Sequence, residues 1–240
     1  MRGRLRDMPR RIAQNTTTRE ARSAAALDRD RIIGTAIDLA DRDGIDSLSM
    51  RKLGQALRVD PMSIYNHVRD KDELLDGMAD AVVGEIEPPP RTSDWRRSLR
   101  ETILAARSTM LRHPWAAAVL ASRQDPGPAT MRYTETVLGR LRDGGFSMEL
   151  AHHALHVFGS RAFGFSQDLF DDKGQPVPDA EALGAMAREL AADFPNIAEL
   201  MGIVQHEGGL GGCDDDVEFV FALDLILDGL DRLRAGSSGR

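Results

Sequence analysis

The stretch that most constrains this chain is residues 49–71, SMRKLGQALRVDPMSIYNHVRDK, which predicts two short helices joined by a tight turn. Ser49 suits the N-cap of the first helix, because its hydroxyl can accept a hydrogen bond from an otherwise unpaired N–H one turn on. Asp60 suits the N-cap of the second helix, which begins with Pro61 at the position where a missing N–H costs nothing. This arrangement is typical of a helix-turn-helix.

The charge of this segment favours contact with nucleic acid. Five basic and two acidic residues give residues 47–71 a local charge of +3, whereas the whole chain carries −7 at pH 7. The basic residues are Arg51, Lys52, Arg58, Arg69 and Lys71, and the acidic residues are Asp60 and Asp70. Cations that displace condensed counterions drive affinity for nucleic acid, so this basic island predicts phosphate contact. The alternative is an ordinary helical hairpin with surface cations.

Several segments resemble the tetracycline-repressor (TetR) family of regulators. The matching segments are RIIGTAIDLADRDG (31–44), SMRKLGQAL (49–57), PMSIYNHV (61–68) and KDELL (71–75). The run I-Y-x-H-V-x-x-K-x-x-L-L, from Ile64 to Leu75, is the most specific part. More weakly, GGFSMELAHHAL (144–155) resembles the long interface helix of the tetracycline repressors, and FVFALDLILDGLDRL (219–233) resembles their last helix. The resemblance implies a DNA-binding regulator, with repression as the default activity.

The resemblance also implies which side chains grip the DNA backbone. Tyr65, His67 and Lys71 match family positions that hold phosphate, and Arg51 matches a position that reaches a base or a phosphate. Two alternatives stay open. Tyr65 could be a core aromatic that closes the helix-turn-helix, and His67 could satisfy a local polar group.

Base recognition is expected from the second helix, in the major groove. Asn66 can pair with adenine through two hydrogen bonds, and Met62 can pack on a thymine methyl group. The complete predicted DNA-contact set is Ser49, Met50, Arg51, Arg58, Pro61, Met62, Ser63, Tyr65, Asn66, His67 and Lys71.

Arg58 departs from the family pattern, because the corresponding turn position is usually glycine. A non-glycine residue in a left-handed conformation is strained by roughly 1 kcal/mol. Either Arg58 accepts this strain and reaches a phosphate, or the turn geometry differs slightly.

Helical periodicity dominates the chain, and no segment alternates with period two for long enough to indicate a sheet. We therefore expect an all-α protein, with a three-helix DNA-binding headpiece and a helical C-terminal domain. The run Pro88–Pro90 predicts the domain boundary, which gives a DNA-binding domain over 27–87 and a ligand-binding and dimerisation domain over 88–240. Residues 1–26 are polar and basic, and we expect a disordered arm that follows DNA or serves as an inert tail.

The chain shows no sign of a membrane or secretory segment. No window approaches about 18 consecutive apolar residues, and the basic N-terminus lacks the apolar region of a signal peptide. Cys213 is the single cysteine, which excludes an internal disulfide. We expect a cytoplasmic protein without a membrane partner.

The last predicted helix, about residues 214–234, indicates dimerisation. It is apolar around most of its circumference, and Asp224, Asp228 and Asp231 form a narrow polar stripe. A helix of this kind must be covered on several sides, and a second subunit is the simplest cover. Together with the predicted helix over 147–170 it would form a four-helix interface, as the resemblance also implies. The expected interface residues are Ala151, Ala154, Leu155, Phe219, Leu223, Ile226, Leu227 and Leu230. The alternative is the central helix of a monomer core.

A small-molecule effector is expected in a cavity between helices of the C-terminal domain. The candidate wall residues are Met110, His113, Trp115, Phe158, Arg161, Phe163 and Phe165, with Arg161 or His113 as the polar anchor. The alternative for each apolar member is ordinary core packing. In the tetracycline branch a histidine and a glutamate help to hold a magnesium–drug chelate, and Leu120 and Asp168 fall at those positions here. Leucine cannot ligate magnesium, so a metal-chelated tetracycline is not the expected effector.

Neither a metal nor a cofactor is expected. His152 and His156 stand at i and i+4 next to His153, a spacing that could hold a metal, but no third ligand is evident and we expect polar surface histidines. Cys213 lies beside Asp214, which disfavours its thiolate.

Three functions compete at this point. The leading hypothesis is a homodimeric repressor that a small molecule releases from a palindromic double-stranded operator. The second is a constitutive or architectural DNA-binding dimer, which a fully packed C-terminal core would favour. The third is a helical enzyme, which no nucleophile–base pair, phosphate loop, metal motif or dinucleotide fingerprint supports. The effector, the operator and the regulated genes stay open.

Overall fold

The computed structural model of the chain describes residues 27–123, 125–163, 180–204 and 215–237. Every regular element in these ranges is helical, as the sequence predicts. The α-helices are α1 (Arg29–Asp43), α2 (Met50–Leu57), α3 (Pro61–Ile64), α4 (Lys71–Gly84), α5 (Trp95–Arg112), α6 (Ala116–Ser122), α7 (Pro128–Asp143), α8 (Met148–Phe163), α9 (Ala180–Leu190), α10 (Pro195–Val204) and α11 (Asp215–Ser237). None of the helices described combines the length and the hydrophobicity that crossing a bilayer requires.

The chain divides into two compact units, Met1–Ala81 and Val82–Arg240, and the division falls inside α4. The predicted arm over residues 1–26 lies outside the described residues.

Helix α1 has clear start and stop signals in the sequence. The Asp28 carboxylate accepts a hydrogen bond from the Arg31 N–H at 2.8 Å, which satisfies one of the unpaired donors of the first turn. Gly44 ends the helix with a φ of 79°, a conformation that glycine adopts without steric cost. Ile33 and Ile37 on its apolar face are buried, and α1 packs against α2.

Gly54 allows the two helices of the helix-turn-helix to approach closely. A Cβ at this position would lie 3.1 Å from the Pro61 Cγ and 3.1 Å from the Val59 carbonyl oxygen, which is closer than an ordinary van der Waals contact. The neighbouring Leu53 and the α3 residue Ile64 are fully buried. The unit's core therefore fixes α3 relative to α2.

The core of the second unit is one hydrophobic cluster between α5, α7, α8 and α11. Its buried members are Leu99, Ile103, Val137, Leu141, Phe146, Ala151, Ala154, Phe158, Phe219, Leu223, Leu227 and Leu230. Helix α6 packs on α8, and α9 and α10 pack on each other.

Arginine–aspartate pairs join α5 to α11 along their length. Arg100 donates to Asp224, with Nε 2.8 Å from Oδ1. The flanking pairs are Arg96–Asp228 at 2.6 Å and Arg107–Asp216 at 2.9 Å. Two of the three aspartates of the predicted polar stripe, Asp224 and Asp228, therefore face α5 of the same chain.

The segment between α4 and α5 is part of the second unit. Two arginines hold it in place through hydrogen bonds and an ion pair. The buried Arg140 of α7 donates to the carbonyl oxygens of Pro89 and Ser98, the latter at 2.8 Å. Burial lowers the pKa of the Arg140 guanidinium. Arg91 pairs with Asp143, with Nε 2.9 Å from Oδ2. These bonds fix the proline run against α5 and α7.

Candidate functional site

The helix-turn-helix is built by the caps that the sequence predicts. The Ser49 hydroxyl accepts from the Lys52 N–H at 3.2 Å, and the Asp60 carboxylate accepts from the Met62 N–H at 2.8 Å. Helix α3 has only four residues and continues as a turn, in which the His67 N–H donates to the Ile64 carbonyl oxygen at 2.9 Å. The second helix is therefore short, and its tip is a turn.

The side chains at this tip face solvent. Met62 is 69% exposed and Tyr65 is 41% exposed, so the alternative of a buried core aromatic does not describe Tyr65. Asn66 is also exposed, and His67 is half-buried. Of the other predicted contact residues, Ser49, Arg51, Arg58 and Lys71 are exposed, whereas Met50, Pro61 and Ser63 are half-buried. The hydroxyl of Ser49 serves as a helix cap.

Arg58 adopts the left-handed conformation that its family position requires. Its φ is 58° and its ψ is 43°, and its N–H donates to the Gln55 and Gly54 carbonyl oxygens. It is the one non-glycine residue with positive φ in the described part of the chain. The turn therefore keeps its geometry, and the Arg58 backbone carries the strain.

The cations around the tip differ in their availability. Arg69 is tied to Glu73, which accepts from the Arg69 N–H at 2.8 Å and from Nε at 3.0 Å. The hydrogen bond to Glu73 raises the pKa of Arg69. Arg51, Arg58 and Lys71 form no salt bridge with any described residue. Lys52 is exposed as well and has no such salt bridge, so the basic island offers four exposed cations, and Arg69 is engaged within the protein.

The second unit contains a cavity of about 540 Å³. Its apolar wall includes Ile103, Leu120, Val137, Leu155 and Phe158, and Val83 contributes from the last turn of α4. Its polar wall residues are Thr130, Tyr133 and Thr134 from α7 and His152 and His156 from α8. A volume of this size suits a small organic molecule.

The two histidines form a direct contact, with their Nε2 atoms 3.0 Å apart. Burial raises the pKa of the Tyr133 phenol, so this group stays protonated at neutral pH. No Asp, Glu, Lys or Arg side chain lines the described wall. The described residues also contain no cluster of three or more His, Cys, Asp or Glu side chains that could hold a metal ion.

The cavity wall differs from the predicted ligand set. Phe158 lies in it, but Met110, His113 and Trp115 do not. His113 cannot be the polar anchor in this arrangement, because its Nε2 lies 3.1 Å from the Glu85 carboxylate. The other predicted wall residues, Arg161, Phe163 and Phe165, lie outside the side chains that the structure describes, and so does Asp168.

Sequence reasoning missed the contribution of α7. Thr130, Tyr133, Thr134 and Val137 occur at i, i+3, i+4 and i+7, so they share one helix face that mixes polar and apolar groups. Such a face is neither a plain core stripe nor a solvated stripe, and this mixture was the available signal. The three histidines of α8, predicted as polar surface residues, are exposed, but His152 and His156 also line the cavity.

The residues of the predicted dimer interface need correction. Ala151, Ala154, Phe219, Leu223, Leu227 and Leu230 are buried in the core of their own chain, and Leu155 and Ile226 pack against that core. Side chains without exposed area have none to lose to a partner. The apolar face of α11 packs into the core of its own chain, so the face on the other side of the helix is left exposed. Val217, Phe221 and Leu225 form this face, which we name the α11 apolar stripe.

Known protein families match segments of both units. The family model "Bacterial regulatory proteins, tetR family" matches residues 32–78, and "Tetracyclin repressor-like, C-terminal domain" matches residues 87–234. The repressor DrrR1 of Streptomyces coeruleorubidus is 32% identical over 224 residues, which cover 89% of this chain and 80% of that protein. An HTH-type regulator of Saccharopolyspora erythraea is 38% identical over 129 residues, 53% of this chain and 55% of that protein.

Solved structures share the fold over most of the chain. Apo ActR from Streptomyces coelicolor superposes with a TM-score of 0.71 at 30% identity, covering 88% of this chain and 98% of ActR. ActR in complex with actinorhodin superposes with a TM-score of 0.65 at 30% identity, covering 90% of this chain and 100% of that chain. A headpiece of this kind and a helical C-terminal domain are thus found together in known regulators. This chain is a DNA-binding transcriptional repressor rather than an enzyme, and it belongs to the tetracycline-repressor family.

Proposed function

We propose that the protein is a homodimer that binds a palindromic operator through two copies of the helix-turn-helix and leaves it when an apolar small molecule occupies the cavity. One observation carries this proposal: helix α4 begins at Lys71, a predicted phosphate contact, and its last turn supplies Val83 to the cavity wall. One helix therefore contains a residue of each site.

The DNA contacts follow from exposure and charge at the helix tip. Arg51, Arg58 and Lys71 are the exposed cations that meet phosphate, together with Tyr65. Met62 and Asn66 are the exposed side chains that reach base edges in the major groove. Phosphate contacts set the orientation of α3, and the base contacts supply sequence preference.

The α11 apolar stripe is the proposed dimer interface. Phe221 is 62% exposed and Leu225 is 56% exposed, a degree of exposure that favours coverage by another surface. Val157 is an exposed apolar residue of α8. A symmetric pairing of α8 and α11 with their mates buries these residues and presents two recognition helices to one duplex.

The cavity is the proposed effector site. ActR structures contain (S)-DNPA or actinorhodin, which supports a small-molecule site in the same domain of this chain. The cavity weighs against a constitutive DNA-binding dimer, for which a fully packed core is expected. A ligand can shift the DNA-binding equilibrium only if it binds one state more tightly, and Val83 offers a contact that changes when α4 moves.

Gly159 gives a specific test of the effector site. It lines the cavity, and a Cβ added there would meet no atom within 4 Å. We therefore expect Gly159→Leu to fill part of the cavity, since its Cβ meets no neighbouring atom. Gly159→Ala is the matched control, because it brings the same gain in helix propensity with only one methyl group.

The experiment first selects an operator from random duplexes and then screens apolar aromatic compounds for its release. Each releasing compound is tested again on the two variants. We expect Gly159→Ala to respond like the natural protein and Gly159→Leu to stay on the operator at the same compound concentration. Equal release of both variants would show that the effector acts elsewhere.

A further inference from the structure

We infer that His152 and His156 form a recognition element for one acidic oxygen of the effector, so that the cavity takes an apolar ring compound carrying a carboxylate or an acidic hydroxyl. The inference rests on the proposed function, because it assigns a chemical class to the molecule held in the same cavity.

The two imidazoles are positioned to act on the same atom. They stand one turn apart on α8, both line the cavity, and their Nε2 atoms are 3.0 Å apart. The rings are nearly perpendicular, at 83°, with centroids 4.7 Å apart. At this distance one Nε2–H donates to the lone pair of the other Nε2, so the neutral pair holds a single hydrogen between its facing nitrogens. Both side chains are also exposed, so an entering molecule can reach them.

The rest of the described wall offers no competing charge. Thr130, Tyr133 and Thr134 are its other polar residues, and none of them is ionic at neutral pH. The Thr134 hydroxyl donates to the Thr130 carbonyl oxygen at 2.9 Å within its own helix. Burial raises the pKa of Tyr133, which keeps its phenol neutral. The histidines are therefore the basic side chains of the described wall.

An acidic ligand completes the hydrogen bonding of the pair. The ligand O–H transfers its proton to the accepting Nε2, and one imidazole becomes an imidazolium. Both Nε2–H groups then donate to the oxygen anion. A ligand that arrives ionised reaches the same state when the pair takes one proton from water. Hydrogen bonds between ionised groups are roughly twice as strong as neutral ones, so the pair selects an acid over a neutral molecule of the same shape.

A transition metal is the other occupant that two imidazoles at i and i+4 can accept. Zinc sites use three or four protein ligands. Within the described residues no group of three His, Cys, Asp or Glu side chains comes together, so the pair lacks a third ligand there. The acidic ligand is therefore the favoured occupant, and Zn²⁺ binding becomes an outcome of the test.

The test uses two fluorescent probes of nearly equal shape, anthracene-2-carboxylate and anthracene-2-carboxamide, titrated against the full chain. We expect the carboxylate to bind about tenfold more tightly or better, because hydrogen bonds to charged groups contribute more. In the double variant His152→Gln with His156→Gln the ratio should fall below about twofold. His153→Gln is the matched control: it is the neighbouring exposed histidine, it does not line the cavity, and it should keep the full ratio.

The outcomes separate this inference from the proposed function. If the natural protein binds both probes equally, or if the double variant keeps the preference, the role of the imidazoles is overturned and the cavity still stands as the effector site. If neither probe binds, the effector site and this inference fail together. Stoichiometric binding of Zn²⁺ alone, lost in the double variant and kept in His153→Gln, would overturn the inference in favour of a metal site. Circular dichroism checks helix content, and His156→Gln alone serves if the double variant does not fold.

Discussion

The Arg100 guanidinium of α5 donates to the Asp224 carboxylate of α11, with 2.8 Å between Nε and Oδ1. The pair lies beside the buried face of α11, on which Leu223 and Leu227 pack into the core of the same chain. On the other side of the helix, Val217, Phe221 and Leu225 are exposed. The α11 apolar stripe, rather than the buried face of the helix, is therefore the surface left for a partner.

Introducing charge into this stripe should separate the subunits. We expect Phe221→Glu with Leu225→Glu to convert a dimer to a monomer, because unpaired carboxylates buried in an interface are costly. Sedimentation of the purified protein measures the outcome. Leu111→Glu on α5 is the matched control, since Leu111 is 56% exposed like Leu225 but lies outside the stripe. A double variant that still sediments as a dimer would exclude this interface.

We expect the Arg58 side chain to strengthen DNA binding and its strained backbone to lower the stability of the fold. With φ at 58° it carries left-handed strain of roughly 1 kcal/mol, which glycine does not. We expect Arg58→Gly to keep or raise the free energy of unfolding and to weaken operator binding. Arg58→Ala removes the same charge and keeps the strained Cβ, so it should weaken binding equally without the gain in stability. Unchanged operator affinity in both variants would reject the phosphate contact.

Lys71 and Asn66 should affect DNA binding in different ways. Both are exposed near the tip of the helix-turn-helix. We expect Lys71→Ala to weaken binding to all sequences and to lower the salt slope of log affinity by about 1, as loss of one phosphate contact does. Asn66→Ala should instead lose discrimination at one base pair, by about 1–3 kcal/mol. Affinity measured at several salt concentrations on matched and mismatched duplexes separates the two effects, and the reverse pattern would exchange the assignments.

Glu85 should make stability sensitive to acid. Burial raises its pKa, but the hydrogen bonds from His113 and Arg112 outweigh burial, and the pKa is lowered overall. A carboxyl group whose pKa is lower in the folded state stabilises that state above its unfolded pKa of about 4.3, and this contribution is lost as the pH falls through the folded pKa. Urea midpoints should therefore fall more steeply on acidification below about pH 5 for the natural protein than for Glu85→Gln. Parallel curves for the two proteins would remove Glu85 as a cause.

Local features of the fold could be predicted because their causes are local. Ser49, Asp60 and Gly44 act on backbone groups within a few residues, and each has the role that the sequence predicts. The sequence leaves two geometries open for the turn at Arg58, and the structure has the left-handed one. Helix periodicity also needs only the chain itself. These features define the headpiece and the all-α class.

Features that depend on distant partners could not be predicted. His113 is taken by Glu85 across the unit rather than by the cavity, and no local pattern encodes that choice. The aspartates of α11 look like a solvated stripe until Arg100 and its neighbours are placed beside them. The cavity role of His156 depends likewise on which face of α8 meets α7. In each case the sequence supplied the residues, and only packing decided their partners.

Selection of duplexes from a random pool by the purified full chain, at moderate ionic strength and without added small molecules, tests the central claim most directly. The account predicts enrichment of a palindromic sequence whose two half-sites are centred about one helical turn of DNA, roughly 34–36 Å, or a multiple of it, apart. Enrichment of nothing, or of a sequence without twofold symmetry, would contradict a repressor that presents two recognition helices to its operator.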